Sequence, residues 1–121
     1  MKNKVIVVLS QCPDEATAER LALRLLEERL AACVNWLPGA RSAYWWQGQI
    51  QRDTETLLLA KTTAERLGQL TARLTELHPY DVPEILALEV AGGAERYLDW
   101  VGQTLGADEQ AGPGEREQEH S

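Results

Sequence analysis

Phenylalanine is absent from this chain, histidine and cysteine occur twice each, and methionine once, in 121 residues. Two cysteines do not make a disulfide scaffold, and a chain of this length buries a core without one. Cys12 and Cys33 do not form a CxxC, and there is no His-x-x-x-His, so the usual zinc spacings are excluded. No apolar run approaches the ~18 residues of a membrane span, and no signal peptide is apparent. The expectation is a single soluble domain with free thiols in a reducing cytoplasm, with no membrane partner.

Positive charge is also scarce. Twelve Lys and Arg stand against nineteen Asp and Glu, for a net charge of -7. From Asp108 onward there are five acidic residues and one Arg, a net of -4, which leaves -3 for the rest. Without a basic cluster to displace counterions from phosphates, nucleic acid is excluded as a main partner. The stretch 106-GADEQAGPGEREQEHS-121 has no large apolar side chain and contains Gly-Pro-Gly. It is expected to be a disordered acidic tail following a domain over residues 1–105.

What the chain does have is a regular succession of patterns. The run 4-KVIVVLS-10 is β-branched and apolar at nearly every position, as in a central strand. The segment 13–32 predicts a helix, with Pro13 at its first position, Asp14 and Glu15 against the N-terminal dipole, and Ala18, Leu21, Ala22 and Leu25 as its stripe. A second strand starts near Cys33, is interrupted at Pro38-Gly39, and runs on through Tyr44, Trp45 and Trp46 to a turn at Gln47-Gly48. Residues 54-TETLLLAK-61 return as its partner. Thr62-Thr63-Ala64-Glu65 predicts a capping box for a second helix with Leu67, Leu70, Leu74 and Leu77, stopped by His78-Pro79. A strand over 82–90 and a short helix over 94–105 complete the pattern. This order predicts an α+β, ferredoxin-like βαββαβ sandwich with an antiparallel sheet ordered 4-1-3-2, plus a C-terminal helix.

Hairpin arms of about ten residues outrun a typical strand of five or six. They carry Tyr44, Trp45 and Trp46, and successive strand residues face opposite ways, so both faces of the ribbon need cover. One helix layer covers one face. A subunit interface is therefore the first expectation for the three aromatics, a ligand-pocket wall the second and ordinary core the third.

The blocks 31-AACVNWLPGARSAYWWQGQI-50 and 77-LHPYDVPEILAL-88, with 13-PDEATAERLA-22 before them and 97-YLDW-100 after, resemble the CutA family of divalent-cation tolerance proteins. The resemblance spans Lys4 to Leu105. It implies a cytoplasmic homotrimer of ferredoxin-like subunits related in shape to PII signalling proteins. It also implies a role in divalent metal ion tolerance and response, with copper binding attributed to some bacterial members.

Topology places Ser10, Cys12, His78 and Tyr80 at one end of the subunit and Cys33 at the other. Cys12 and His78 are the candidate ligands, a thiolate and an imidazole that suit copper or another divalent cation. The chain departs from copper-associated members of the family, which have a Cys where Ser10 stands and in some cases a second His where Leu77 stands. Against the metal role, His78 suits a helix end and Cys12 a small residue before a proline. Lys61, Tyr80 and Glu84 are candidates for a ligand cleft between subunits, the setting of a PII-like small-molecule sensor. No catalytic triad, phosphate loop or acid-base carboxylate pair is visible, and the Ser10-Gln11-Cys12-Pro13 turn lacks the Arg that acylphosphatases use on this topology. An enzyme is not expected.

Overall fold

The computed structural model describes residues 4–106. The acidic tail expected after Gly106 lies outside the described residues. The chain runs β1 (Val5–Cys12), α1 (Glu15–Glu27), β2 (Cys33–Trp46), β3 (Gln49–Thr63), α2 (Leu67–Leu77), β4 (Ile85–Glu89) and α3 (Glu95–Gly106). The four strands form one antiparallel sheet ordered β2-β3-β1-β4. This is the expected 4-1-3-2 order read from the opposite edge.

Strand alternation sorts β1 into two faces. Ile6, Val8, Ser10 and Cys12 are buried, while Val7, Leu9 and Gln11 are half-buried. The first set, with Leu58 and Ala60 across on β3, packs under Leu21, Leu25, Leu70 and Leu74 of α1 and α2 to make the core. The second set belongs to a face that α3 covers only at the end where β1 starts. There α3 packs against β3 and β1 and buries Val101 and Leu105.

Helix boundaries differ from those expected. Asp14, and not Pro13, begins α1: it adopts an extended backbone as N-cap and its carboxylate accepts from the Thr17 amide at 2.8 Å. The helix stops at Glu27 rather than continuing to Ala32. Arg29 takes a left-handed φ of 58°, and the amides of Arg29 and Leu30 donate to the carbonyls of Leu26 and Leu25. That is the Schellman closure, built with an arginine where glycine is usual.

Thr62-Thr63-Ala64-Glu65 is not a capping box. Thr62 and Thr63 are the buried end of β3, the Thr62 hydroxyl donates to the Leu30 carbonyl at 2.7 Å, and α2 begins at Leu67 behind Arg66 with no side-chain cap. Likewise Pro83 precedes β4, which starts at Ile85.

Candidate functional site

The β2-β3 ribbon leaves the sheet. The pairing of β1 with β3 ends at Cys12 and Thr56, whereas β2 and β3 stay paired as far as Trp46 and Gln49. The ribbon beyond Ala40 therefore projects by roughly 20 Å at ~3.4 Å per residue. Two local choices shape it. Gly39, at φ 85°, is the extra residue of a bulge between Pro38 and Ala40. Gln47 and Gly48, at φ 52° and 78°, close the tip as a two-residue turn of the primed kind that matches strand twist.

On this ribbon Trp45 and Ile50 are cross-strand partners with 72% and 59% of their surface exposed. Tyr44 and Trp46 lie on the opposite side and are also exposed. Leu37 near the root of the ribbon, and Leu86 and Leu88 on β4 across the sheet, add to an uncovered apolar face, the last two at 53% and 52% exposure. Leu57 and Leu59 share that face by strand alternation. The sequence carried a signal for it in the period-two leucines of β3 and β4, visible only once both strands are known to have one uncovered side.

At the root of the ribbon two phenols meet two carboxylates. Tyr44 donates to Asp53, and Tyr80 donates to Glu55 at 2.8 Å. Tyr80 is held well above the usual phenol range, by burial first and then by the hydrogen bond to Glu55. Asp53 and Glu55 carry no recognisable motif, and only the side-chain contacts of the folded chain bring them to the two phenols.

The same end holds His78, Tyr80 and Cys12. The Tyr80 amide donates to His78 Nδ1 at 3.1 Å, so Nδ1 is the acceptor, and Nε2 carries the proton that it donates to the Gln11 carbonyl at 2.8 Å. Both ring nitrogens are thus occupied by backbone groups. Cys12 is fully buried, and its thiol is pushed up to about 11 by burial and then by Asp14 and Glu55. To bind a metal, Cys12 must become a thiolate and His78 must free a ring nitrogen. Among the described residues there is no group of three or more His, Cys, Asp and Glu able to hold a metal. The donor set that the described residues of one subunit offer does not fit a copper centre.

Lys61 stands at the other end. It pairs with Cys33, and its ammonium donates to Asn35 Oδ1 at 2.6 Å and lies 3.9 Å from Cys33 Sγ. Tyr97 of α3 reaches the same thiol; burial first, and then Cys33, push its phenol upward. Lys61 and Glu55, which holds Tyr80, are six positions apart on β3, about 20 Å at ~3.4 Å per residue. Glu84 is exposed just before β4, near the Tyr80 end. One subunit brings Tyr80 and Glu84 to the same end but keeps Lys61 away from both.

Comparison with known proteins agrees with this architecture. The family model described as CutA1 divalent ion tolerance protein matches residues 6–104. The divalent-cation tolerance protein CutA of Thermus thermophilus is 51% identical over 100 residues, covering 83% of this chain and 97% of that protein. The crystal structure of CutA from Xylella fastidiosa superposes with a TM-score of 0.81 at 44% identity, covering 84% of this chain and 97% of that one. A CutA from Archaeoglobus fulgidus described as periplasmic gives 0.80 at 36% identity, covering 84% and 98%. With its sheet order, its overlong ribbon and these matches across nearly all described residues, the chain belongs to the CutA1 divalent ion tolerance family.

Proposed function

We propose that this protein serves divalent-cation tolerance as a non-enzymatic cytoplasmic homotrimer, and that its assembly, not a resident copper centre on one subunit, is the functional unit. The observation that carries the assembly is the ribbon: large apolar side chains exposed on both of its sides, continuous with an uncovered leucine face. Burial returns roughly 25 cal/mol per Å² of apolar surface, and a closed ring of identical copies buries every such face once. An isolated subunit leaves them all in water.

Copper is the ion that the family resemblance nominates. Holding it at Cys12 and His78 requires deprotonating a buried thiol and breaking a hydrogen bond of the imidazole, and Ser10 adds no soft donor beside them. Native mass spectrometry with cuprous ion under reducing conditions is expected to give a trimer without stoichiometric metal. Three ions per trimer, lost in Cys12→Ser and in His78→Ala, would overturn this and establish a copper site.

A second reading, a PII-like sensor with a ligand cleft between subunits, is favoured by one observation. Among the described residues, no carboxylate lies within ion-pair distance of Lys61, whose partners are Asn35 and Cys33. A cleft using Lys61, Tyr80 and Glu84 together has to be completed by a neighbouring copy. Thermal shift against a panel of phosphate- and carboxylate-bearing small molecules tests it; a shift abolished by Lys61→Ala supports the sensor, and no shift removes it.

A further inference from the structure

The cluster of Cys33, Lys61, Asn35 and Tyr97 has no part in the assembly argument, and its chemistry is unusual. A thiol and a primary amine face each other as a cross-strand pair 3.9 Å apart, on strands whose register fixes their separation. Asn35 Oδ1 holds the amine at 2.6 Å, and Cys33 is close enough to the Tyr97 phenol to push it upward, after burial. Cys33 is only half-buried, whereas Cys12 is fully enclosed. Among the described residues no second cysteine is placed to resolve an oxidised Cys33 as a disulfide, since Cys12 sits at the far end of β1. The primary amine that faces its sulfur is the Lys61 nitrogen.

We propose that Cys33 and Lys61 form a reversible oxidative cross-link, a sulfur-oxygen-nitrogen bridge made by hydrogen peroxide, and that this pair is a redox-sensitive modification site. In the first step the Cys33 thiol attacks peroxide: a sulfur-oxygen bond forms, the peroxide bond breaks, and sulfenic acid and one water result. In the second step Lys61, having given its extra proton to water, reacts as the free amine with the sulfenic acid and a second peroxide. The amine attacks the peroxide, so a nitrogen-oxygen bond forms as the peroxide bond breaks and one water leaves; the resulting hydroxylamine oxygen then displaces the sulfenic hydroxyl from sulfur as a second water, and sulfur and nitrogen are joined through one oxygen. The thiol, the amine and two peroxides become the bridge and three waters, with sulfur and nitrogen each oxidised by two electrons. Four reducing equivalents, from two molecules of a dithiol, return thiol, amine and one water.

The bridge joins residues already paired in the sheet, so it forms without moving a strand. Its effect is electrostatic and chemical: the one cation of this cluster is lost, and the half-buried thiol is capped.

The experiment is intact mass and peptide mapping of the full chain after mild peroxide at pH 8 to 9, before and after dithiothreitol. The expected result is a gain of about 14 Da, one oxygen added and two hydrogens lost, mapped to a cross-linked peptide containing Cys33 and Lys61 and reversed by dithiothreitol. It should vanish in Cys33→Ser. In Lys61→Arg, which keeps the positive charge but removes the primary amine, gains of about 16 or 32 Da on Cys33 should replace it. If the wild type shows those same gains on Cys33, or leaves Cys33 unmodified while a free thiol peptide in the same tube is oxidised, the bridge is refuted. Either Lys61→Arg or Cys33→Ser reports on the bridge independently of assembly, so failure here does not bear on the proposed function.

Discussion

Cys12 shows how placement decides chemistry for a single side chain. It lies on the helix-facing side of β1 and pairs with Thr56, so it is enclosed by the core and near the carboxylates of Asp14 and Glu55. Both effects disfavour the thiolate, and the folded protein therefore retains this proton to higher pH than the unfolded chain does. Stability from this group is fully present below the ordinary thiol value of 9.0 and falls as pH rises from there to about 11. Comparing urea midpoints at pH 8 and pH 11 in wild type and Cys12→Ala should show an extra loss on the order of 2 kcal/mol in the wild type. Equal losses in both proteins would mean that Cys12 does not contribute. The two candidate ligands were recognisable in sequence as residue types, and their ends of the fold followed from topology. That the imidazole would be used up by Gln11 and Tyr80 was not, because both partners are backbone groups that any sequence supplies.

At the scale of elements, strand order and helix faces were legible because their periods are set by the core: leucines at three and four on α2, alternation on β1. Boundaries set by tertiary contacts were not. The end of α1 depends on Arg29 accepting a left-handed backbone without glycine, and the reason lies 75 residues away. The Arg29 guanidinium donates to the Thr104 carbonyl at 2.8 Å, and Arg66 donates to the carbonyls of Arg29 and Leu105, so two cations close the C-terminal end of α3. Arg29→Gly relieves the backbone but removes the tie. Hydrogen exchange of the α3 amides should then accelerate about tenfold, corresponding to the ~1.5 kcal/mol of a charge-assisted hydrogen bond, while α1 amides keep their protection. Unchanged exchange in α3 would show that the tie is dispensable. Thr62 departs from its sequence signal for a similar reason: a threonine followed three residues later by Glu marks a helix start unless its hydroxyl is already committed to a neighbouring loop.

For the whole molecule, the apolar ribbon and leucine face argue for an assembly, and Trp45→Ser with Trp46→Ser should dissociate it before the subunit loses its helices. Sedimentation should report a smaller species while far-ultraviolet circular dichroism is preserved; an unchanged mass with a lowered melting temperature would make the tryptophans ordinary packing. The exposed run was evident in sequence from the three consecutive aromatics, but the direction in which it leaves the body was not. That direction depends on Gly39. Pro38 pairs with Thr56 and Ala40 with Glu55, so Gly39 is surplus to the ladder, and deleting it would leave every cross-strand partnership intact while straightening the ribbon. In a ring, the angle between a subunit's arm and its body fixes the rotation from one copy to the next, and only rotations that divide a full circle close. One glycine outside the pairing would thus act as the goniometer of the particle. Native mass spectrometry of the deletion variant should find open chains or a ring of another size, and an assembly of the same size as the wild type's would show that the angle is set elsewhere.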